Sequence, residues 1–251
     1  MTVDSHGTTA ASAEATVPEP VRTGRSIRAP RQEVWDAWFI EERLRAWLPC
    51  DETRMSDQPG STFRWEFRSG FHTPHIHHGT VREVNPGVAA TLDWHVVSSD
   101  APTRFTLRVT QQAPDRTLLE LTHSGFATTP YAHAERDGFD HHWPHLLDAV
   151  QAHLEGTPLE IDRRVSLGIC PLGALPDSGL WIKDIVIGSA AEELGMAAGD
   201  RVLSIDNHVM RTMEDFHSWL DAAEPHRHAG FVMADGRKLE MMLRPLPSRT
   251  S

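Results

Sequence analysis

Histidine is the residue type in this chain with the clearest potential for chemistry. The chain has 16 histidines in 251 residues, and eleven of them fall within residues 72–153. Neutral imidazoles bind transition metals and exchange protons near neutral pH. His75 and His77 would point to the same face of a strand. His141 and His145 have the i, i+4 spacing that lets two side chains of a helix reach one ion.

Other features of the same regions argue against a metal site. No acidic residue interrupts the histidine-rich run at residues 72–78 to complete a known ligand motif. Pro144 lies between His141 and His145 and predicts that the helix begins only after His141. We therefore predict no metal and no other cofactor, with His75 and His77 as the candidates should an ion bind.

His123 has two interpretations that the sequence leaves open. It falls on an apolar face with Leu119 and Leu121, so it is either a hydrogen-bonded core histidine or a cavity residue that orients a ligand or acts as a general base. His95 is the second candidate acid or base. The chain has no Gly-x-Ser-x-Gly motif, no Gly-rich phosphate loop and no Cys-x-x-Cys pair. Catalysis thus has little positive support.

The elements that must position these residues follow from apolar periodicity. Pro30 predicts the start of a short helix, and a second short helix ends near Trp47. Apolar residues then alternate along predicted antiparallel strands. Four carboxylates alternate with those apolar residues and are predicted to face solvent: Glu66, Glu83, Asp93 and Glu120. A final helix is predicted from about His133 or Phe139 to Leu154.

Short motifs in this order carry a family resemblance over residues 23–156. The matching segments are 27–30 with 34–35, 45–47, 81–86, 119–126 and 142–147. The chain here resembles the START-like superfamily, also called SRPBCC or helix-grip. It is most similar to the subgroup related to the C-terminal domain of heat-shock-protein-90 ATPase activators. One departure is His142, where that family usually has glycine.

The resemblance implies an α+β fold in which an antiparallel sheet wraps a long C-terminal helix. It also implies a cavity for a hydrophobic small molecule between the sheet and the helix. The residues expected to line that cavity are Trp65, Trp94, Phe105, Leu107, His123, Trp143 and Leu147.

A second motif covers residues 188–207, where glycines and short polar residues alternate with apolar positions. Ser189 and Thr212 each precede an acidic residue by three positions, which predicts two capped helices. Asp206-Asn207 predicts a tight turn, and Asp235-Gly236 predicts a hairpin turn. Over residues 164–246 the chain resembles a bacterial-type, circularly permuted PDZ domain, a small β-barrel with two helices.

The PDZ resemblance implies a site for a protein C-terminal peptide. Its carboxylate-binding loop would be Ser166, Leu167, Gly168 and Ile169, and its side-chain groove would be bordered by Phe216, His217 and Leu220. Backbone N–H groups of such a loop bind anions, and the peptide adds as a strand. Pro171 departs from the pattern because proline cannot donate to that ladder. The alternative is a docking or dimerising module whose groove is closed.

Composition narrows the class of protein. A net charge of -11 argues against a general nucleic-acid binder, and no apolar run reaches the ~20 residues of a membrane span. Two cysteines in separate predicted domains and no signal-like N-terminus favour the cytoplasm. The predicted organisation is a disordered tail (1–22), the helix-grip domain (23–156), a linker (157–163), the PDZ domain (164–246) and a tail (247–251).

These observations predict a non-enzymatic adaptor. One domain would hold a hydrophobic small molecule or a client, and the PDZ domain would bind a protein tail or support a homodimer. The alternative is a cyclase-like enzyme for an apolar, polyketide-type substrate, with His123 or His95 as its acid or base. An enzyme needs polar groups inside an open cavity, whereas a docking domain can have its interior filled by its own aromatic residues.

Overall fold

A computed structural model describes residues 16–48, 50–67, 75–96, 100–157 and 165–246. Most of the predicted N-terminal tail, all but the first residue of the predicted linker, and the C-terminal tail lie outside these described residues. His72 also lies outside them. The boundaries predicted for the two domains remain predictions at those positions.

The first domain is a curled antiparallel sheet that packs against a long helix. Its elements are β1 (Val21–Ile27), α1 (Arg31–Phe39), α2 (Glu41–Arg45), β2 (Glu52–Arg54), β3 (Thr62–Phe67), β4 (His75–Asn85), β5 (Ala89–His95), β6 (Thr103–Ala113), β7 (Arg116–Ser124) and α3 (Pro130–Glu155). The strand order is β1-β7-β6-β5-β4-β3-β2. Strands β2 to β7 thus form a meander, and β1 pairs with β7 at its edge. This is the predicted helix-grip fold.

The long helix α3 begins earlier than the sequence analysis predicts. Thr129 caps it by accepting a hydrogen bond from the Ala132 N–H at 3.2 Å, and Pro130 takes the first turn, where a missing N–H costs nothing. The helix continues through Pro144. The prediction that Pro144 starts the helix after His141 is therefore wrong. Packing of the flanking Trp143 and Leu147 in the core offsets the hydrogen bond that proline removes.

Two of the four strand carboxylates are also not where they were predicted to be. Glu66 and Asp93 are only 4% and 5% exposed. Arg64 binds Glu66 at 2.6 Å, and Asp93 lies between Arg82 and Arg104. Paired arginines allow a carboxylate to be buried on a strand face that alternation alone assigns to solvent.

The second domain is β-rich. Its elements are β8 (Val165–Ser166), β9 (Ile169–Leu175), β10 (Gly179–Ile185), α4 (Ala190–Glu193), β11 (Arg201–Ile205), β12 (His208–Val209), α5 (Met213–Asp221), β13 (His228–Met233), β14 (Lys238–Met242) and β15 (Arg244–Pro245). The main sheet has the order β14-β13-β11-β10-β9, with β12 on β11, and β8 pairs with β15. The strand β9 thus lies at one edge.

Local signals in this domain are confirmed. Ser189 caps α4, and Thr212 with Asp215 forms a complete capping box at α5. Asp206 and Asn207 have φ values of 47° and 67°, the left-handed conformations that a tight two-residue turn between β11 and β12 needs. Among the described residues, no helix combines the length and apolarity that crossing a membrane requires.

Candidate functional site

A pocket of about 260 Å³ lies where the two domains meet. The first domain contributes the start of β4, the end of β5 and the N-terminal half of α3, and the second contributes β10. The lining residues are His75, Ile76, His77, His78, His95, Val96, Tyr131, Glu135, Phe139, Lys183 and Asp184. The pocket thus combines apolar side chains with ionisable ones in a single concave site.

His75 links the domains at the edge of this pocket. Its Nε2 lies 3.3 Å from Asp184 Oδ2, and its Nδ1 lies 3.5 Å from Cys170 Sγ. Burial, reinforced by Lys183, lowers the pKa of His75 to about 4, and burial raises the pKa of the Cys170 thiol to about 11. At neutral pH the His75 ring is therefore neutral. The Cys170 S–H donates to Nδ1, and the protonated Nε2 lies beside the Asp184 carboxylate.

Lys183 is the cation of the pocket. Within the part of the chain that the structure describes, its ammonium group forms no hydrogen bond or ion pair. Glu135 also lines the pocket and is only 4% exposed. Burial holds the pKa of His77 well below its usual range, so this imidazole is neutral at pH 7. The pocket thus offers one cation, carboxylate acceptors, neutral imidazoles and the rings of Tyr131 and Phe139.

The seven residues expected to line a ligand cavity lie in the core instead, at 0–2% exposure, and none of them lines the pocket. Their rings pack on one another. Trp94 lies 5.1 Å from Trp65 and 5.3 Å from Trp143, and Phe105 lies 5.1 Å from Trp143, between ring centroids. Such distances are those of aromatic pairs in direct contact. Leu107 and Leu147 complete this layer.

His123 is held by a chain of hydrogen bonds inside that core. Trp143 Nε1 donates to His123 Nδ1 at 3.2 Å, and His123 Nε2 lies 2.7 Å from Thr103 Oγ1, which donates to the Trp94 carbonyl at 2.9 Å. Because Nδ1 accepts, Nε2 carries the proton and the ring is neutral. Burial lowers the pKa of His123 to about 3. His95 is exposed, stacks on His78 and lies at the pocket instead.

The residues expected to bind a peptide are placed around the start of β9. Ser166 pairs with Arg244 between β8 and β15, and Leu167 is buried. Gly168 has a φ of +76°, and a Cβ there would lie 2.0 Å from the Ser189 side chain, so only glycine fits. On α5, Phe216 and Leu220 are buried in the domain core. His217 stacks on His141 of the first domain.

The histidine spacing on α3 does bring two imidazoles together. Because the helix is continuous through Pro144, the Nε2 atoms of His141 and His145 are 3.0 Å apart. Across the described ranges, no group of three or more His, Cys, Asp or Glu side chains is arranged to hold a metal ion. His75 and His77 both line the interdomain pocket.

Sequence reasoning missed the α3 and β10 residues of the pocket. Tyr131, Glu135 and Phe139 follow one another at four-residue intervals, which places them on one helix face. This signal was hidden because the helix start was placed too late, although Thr129-Pro130 is a cap followed by a first-turn proline. Lys183 and Asp184 lie in a strand whose sequence does not indicate which domain it faces.

Comparisons with known proteins agree with the two-domain organisation. The model of the family described as activator of Hsp90 ATPase homolog 1-like protein matches residues 28–155, and a PDZ domain model matches residues 181–229. No curated protein sequence matches the chain.

Solved structures that are similar to part of this chain come from several organisms. A protein from Mesorhizobium loti is 21% identical, with a TM-score of 0.47 over 56% of this chain and 100% of that chain. The Aha1 dimer from Colwellia psychrerythraea is 16% identical, with a TM-score of 0.46 over 55% and 97%. An HSP90 activator from Plasmodium falciparum is 14% identical, with a TM-score of 0.36 over 42% and 71%.

Proposed function

Because the chain belongs to the family of activator of Hsp90 ATPase homolog 1-like proteins and carries a PDZ domain, we propose that it is a non-enzymatic binding adaptor. Its interdomain pocket binds a small molecule, and its PDZ domain binds the C-terminal tail of a protein. The observation that carries the first half of this proposal is a pocket with walls from both domains.

The pocket suits a compact ligand with an apolar body and a few polar atoms. Its volume of about 260 Å³ is near the lower end of the ~300–1,000 Å³ typical of ligand pockets. Tyr131, Phe139 and Val96 supply apolar surface. The Lys183 ammonium would donate to a carbonyl or carboxylate of the ligand, and Glu135 and the neutral His77 would bind further polar atoms.

The aromatic core supports binding without catalysis. His123 already uses both ring nitrogens in the core, so it has no free nitrogen for a substrate proton. His95 is exposed at the pocket, where its ring stacks on that of His78. A docking or carrier role needs neither residue to react.

The tail-binding half of the proposal rests on the PDZ fold. Ser166, Leu167, Gly168 and Ile169 would receive the terminal carboxylate, and Phe216, His217 and Leu220 would border the side-chain groove. Gly168, with a φ of +76°, keeps that loop close to Ser189 at the start of α4. In a PDZ fold the backbone N–H groups of this loop are the donors that bind the terminal carboxylate.

Native mass spectrometry of the full chain tests the small-molecule half. We expect a copurified small molecule in the wild type and at least tenfold less of it in Lys183→Met. The chain has a second lysine, Lys238, on β14 of the same domain, so Lys238→Met is the matched control and should retain the ligand.

Two outcomes would contradict this half of the proposal. One is a bare wild-type protein that also takes up nothing from a soaked library of small aromatic carboxylates. The other is equal loss of ligand in the two lysine variants. The same spectra report whether the chain forms a homodimer.

A further inference from the structure

The N-terminal half of α3 lies directly against the outer edge of β9. In its sheet, β9 pairs with β10 alone. A Cβ added at Gly138 of α3 would lie 1.8 Å from the Leu172 carbonyl oxygen, and one added at Gly173 of β9 would lie 1.6 Å from the Ala134 carbonyl oxygen. Helix and strand therefore touch backbone to backbone, which only this pair of glycines permits.

Asp137 joins this helix to the second domain. Its Oδ2 accepts a hydrogen bond from the Ala174 N–H of β9 at 3.0 Å. Its carboxylate also lies near the backbone N–H of Met213, the first residue of α5. One carboxylate from the first domain thus satisfies a donor on β9 and lies near the start of α5.

Aromatic contacts extend the same interface in both directions along α3. The His141 ring stacks on His217 of α5 with centroids 4.0 Å apart and planes 10° apart. Near the start of α3, Tyr131 meets Trp181 of β10 edge-on at 5.6 Å. Leu172 is buried, at 5% exposure, and its carbonyl oxygen faces Gly138 of α3. The contact therefore runs from β10 across β9 to α5.

These contacts use the groups that an added peptide strand would need. Strand addition requires free N–H and C=O groups along the edge of β9. The Ala174 N–H already donates to Asp137, the Leu172 carbonyl faces Gly138, and Pro171 has no N–H. A peptide could pair only with the first residues of β9, which is a short ladder.

We propose that α3 is an intramolecular competitor for the peptide edge of the PDZ domain. A tail with a free C-terminal carboxylate binds along β9 only when α3 leaves that edge. This inference rests on the tail-binding half of the proposed function. Because the pocket also has walls from both domains, a small molecule bound there stabilises the docked arrangement and weakens tail binding, and the tail weakens small-molecule binding by the same factor.

The full chain and three variants test this competition. Asp137→Ala removes the hydrogen bond to the Ala174 N–H, whereas Gly138→Leu places a side chain where the β9 backbone lies. His153→Leu, at an exposed position of the same helix, is the matched control. Each protein is titrated with an immobilised library of peptides that have free C-termini, and amidated copies serve as blanks. Hydrogen exchange at the Ala174 amide reports undocking, and circular dichroism reports folding.

We expect Asp137→Ala and Gly138→Leu to speed exchange at Ala174 and to bind peptides at least tenfold more tightly than wild type and His153→Leu do. Equal peptide affinity in all four proteins, within twofold, would overturn the competition. So would an Ala174 amide that stays protected in Gly138→Leu, or variants that undock and still bind no peptide. Measurable but equal affinity in all four proteins overturns the competition alone, whereas undocked variants that bind no peptide also overturn the tail-binding half of the proposed function.

Discussion

Replacement of His123 by phenylalanine should reduce the acid sensitivity of the first domain. His123 is fully buried, and burial lowers its pKa from 6.5 to about 3. Below pH 6.5 the unfolded chain takes up a proton on His123, whereas the native state does not. The free energy of unfolding therefore keeps the full contribution of this residue above pH 6.5 and loses it progressively as the pH falls toward about 3. The loss is about 1.4 kcal/mol per pH unit, or about 2 kcal/mol between pH 6.5 and 5.0.

The variant removes this proton uptake and has a separate cost. In His123→Phe the Trp143 Nε1 loses its acceptor, and an unsatisfied buried donor costs about 1–3 kcal/mol at any pH. We therefore expect the variant to be less stable than wild type at pH 7.5, and the difference to shrink by about 2 kcal/mol at pH 5.0. Protonation of His75 is common to both proteins and cancels in this difference.

Urea unfolding followed by tryptophan fluorescence measures the effect. Six of the eight tryptophans precede residue 150, so the signal reports mainly the first domain. His153→Phe alters an exposed histidine and should change neither stability nor its pH dependence. A difference between wild type and His123→Phe that stays constant from pH 7.5 to 5.0 would refute the reasoning.

Three other changes have outcomes that follow directly from the structure. Thr212→Ala should lower the free energy of unfolding of the PDZ domain by about 1 kcal/mol, because the α5 cap is lost. Thr212→Ser keeps a capping hydroxyl and should retain most of that stability, so equal losses in the two variants would contradict the role of the cap. Trp94→Ala should cost the first domain about 3–5 kcal/mol, since a fully buried ring leaves a cavity; a smaller loss than in an exposed-site control would be inconsistent with that packing. Burial raises the pKa of both Cys50 and Cys170 to about 11. Because iodoacetamide reacts with the thiolate, it should alkylate both residues at pH 8 on the order of a hundredfold more slowly than a free thiol. Alkylation rates equal to those of the urea-unfolded chain would disprove this prediction.

Much of the local structure was predictable from short-range signals. The caps at Ser189 and Thr212 and the turn at Asp206-Asn207 depend on residues within four positions of one another, and the structure confirms them. Motifs along the chain also predict the order of strands and helices in both domains. They likewise indicate the matches to the activator family and to the PDZ domain. Each of these features is decided by neighbours in sequence.

Local signals mislead where packing or charge opposes them. Pro144 by itself predicts a helix start, but the flanking core residues keep α3 helical through it. Strand alternation assigns Glu66 and Asp93 to solvent, but neighbouring arginines allow their burial. In each case a stabilising partner from packing or charge outweighed the local preference.

The sequence by itself determined most of the local elements, because periodicity, caps and turns act over a few residues. Its motifs also resemble those of a helix-grip domain followed by a PDZ domain. Only the tertiary structure decided where the histidines and the peptide edge lie. It put His123 into a closed hydrogen-bond chain, gathered His75 and His77 with Lys183 in a pocket between the domains, and laid α3 on β9 through Gly138 and Gly173. The physical reason is that these contacts join residues from 20 to 108 positions apart, and neither partner's local sequence specifies the distance or the orientation of the other.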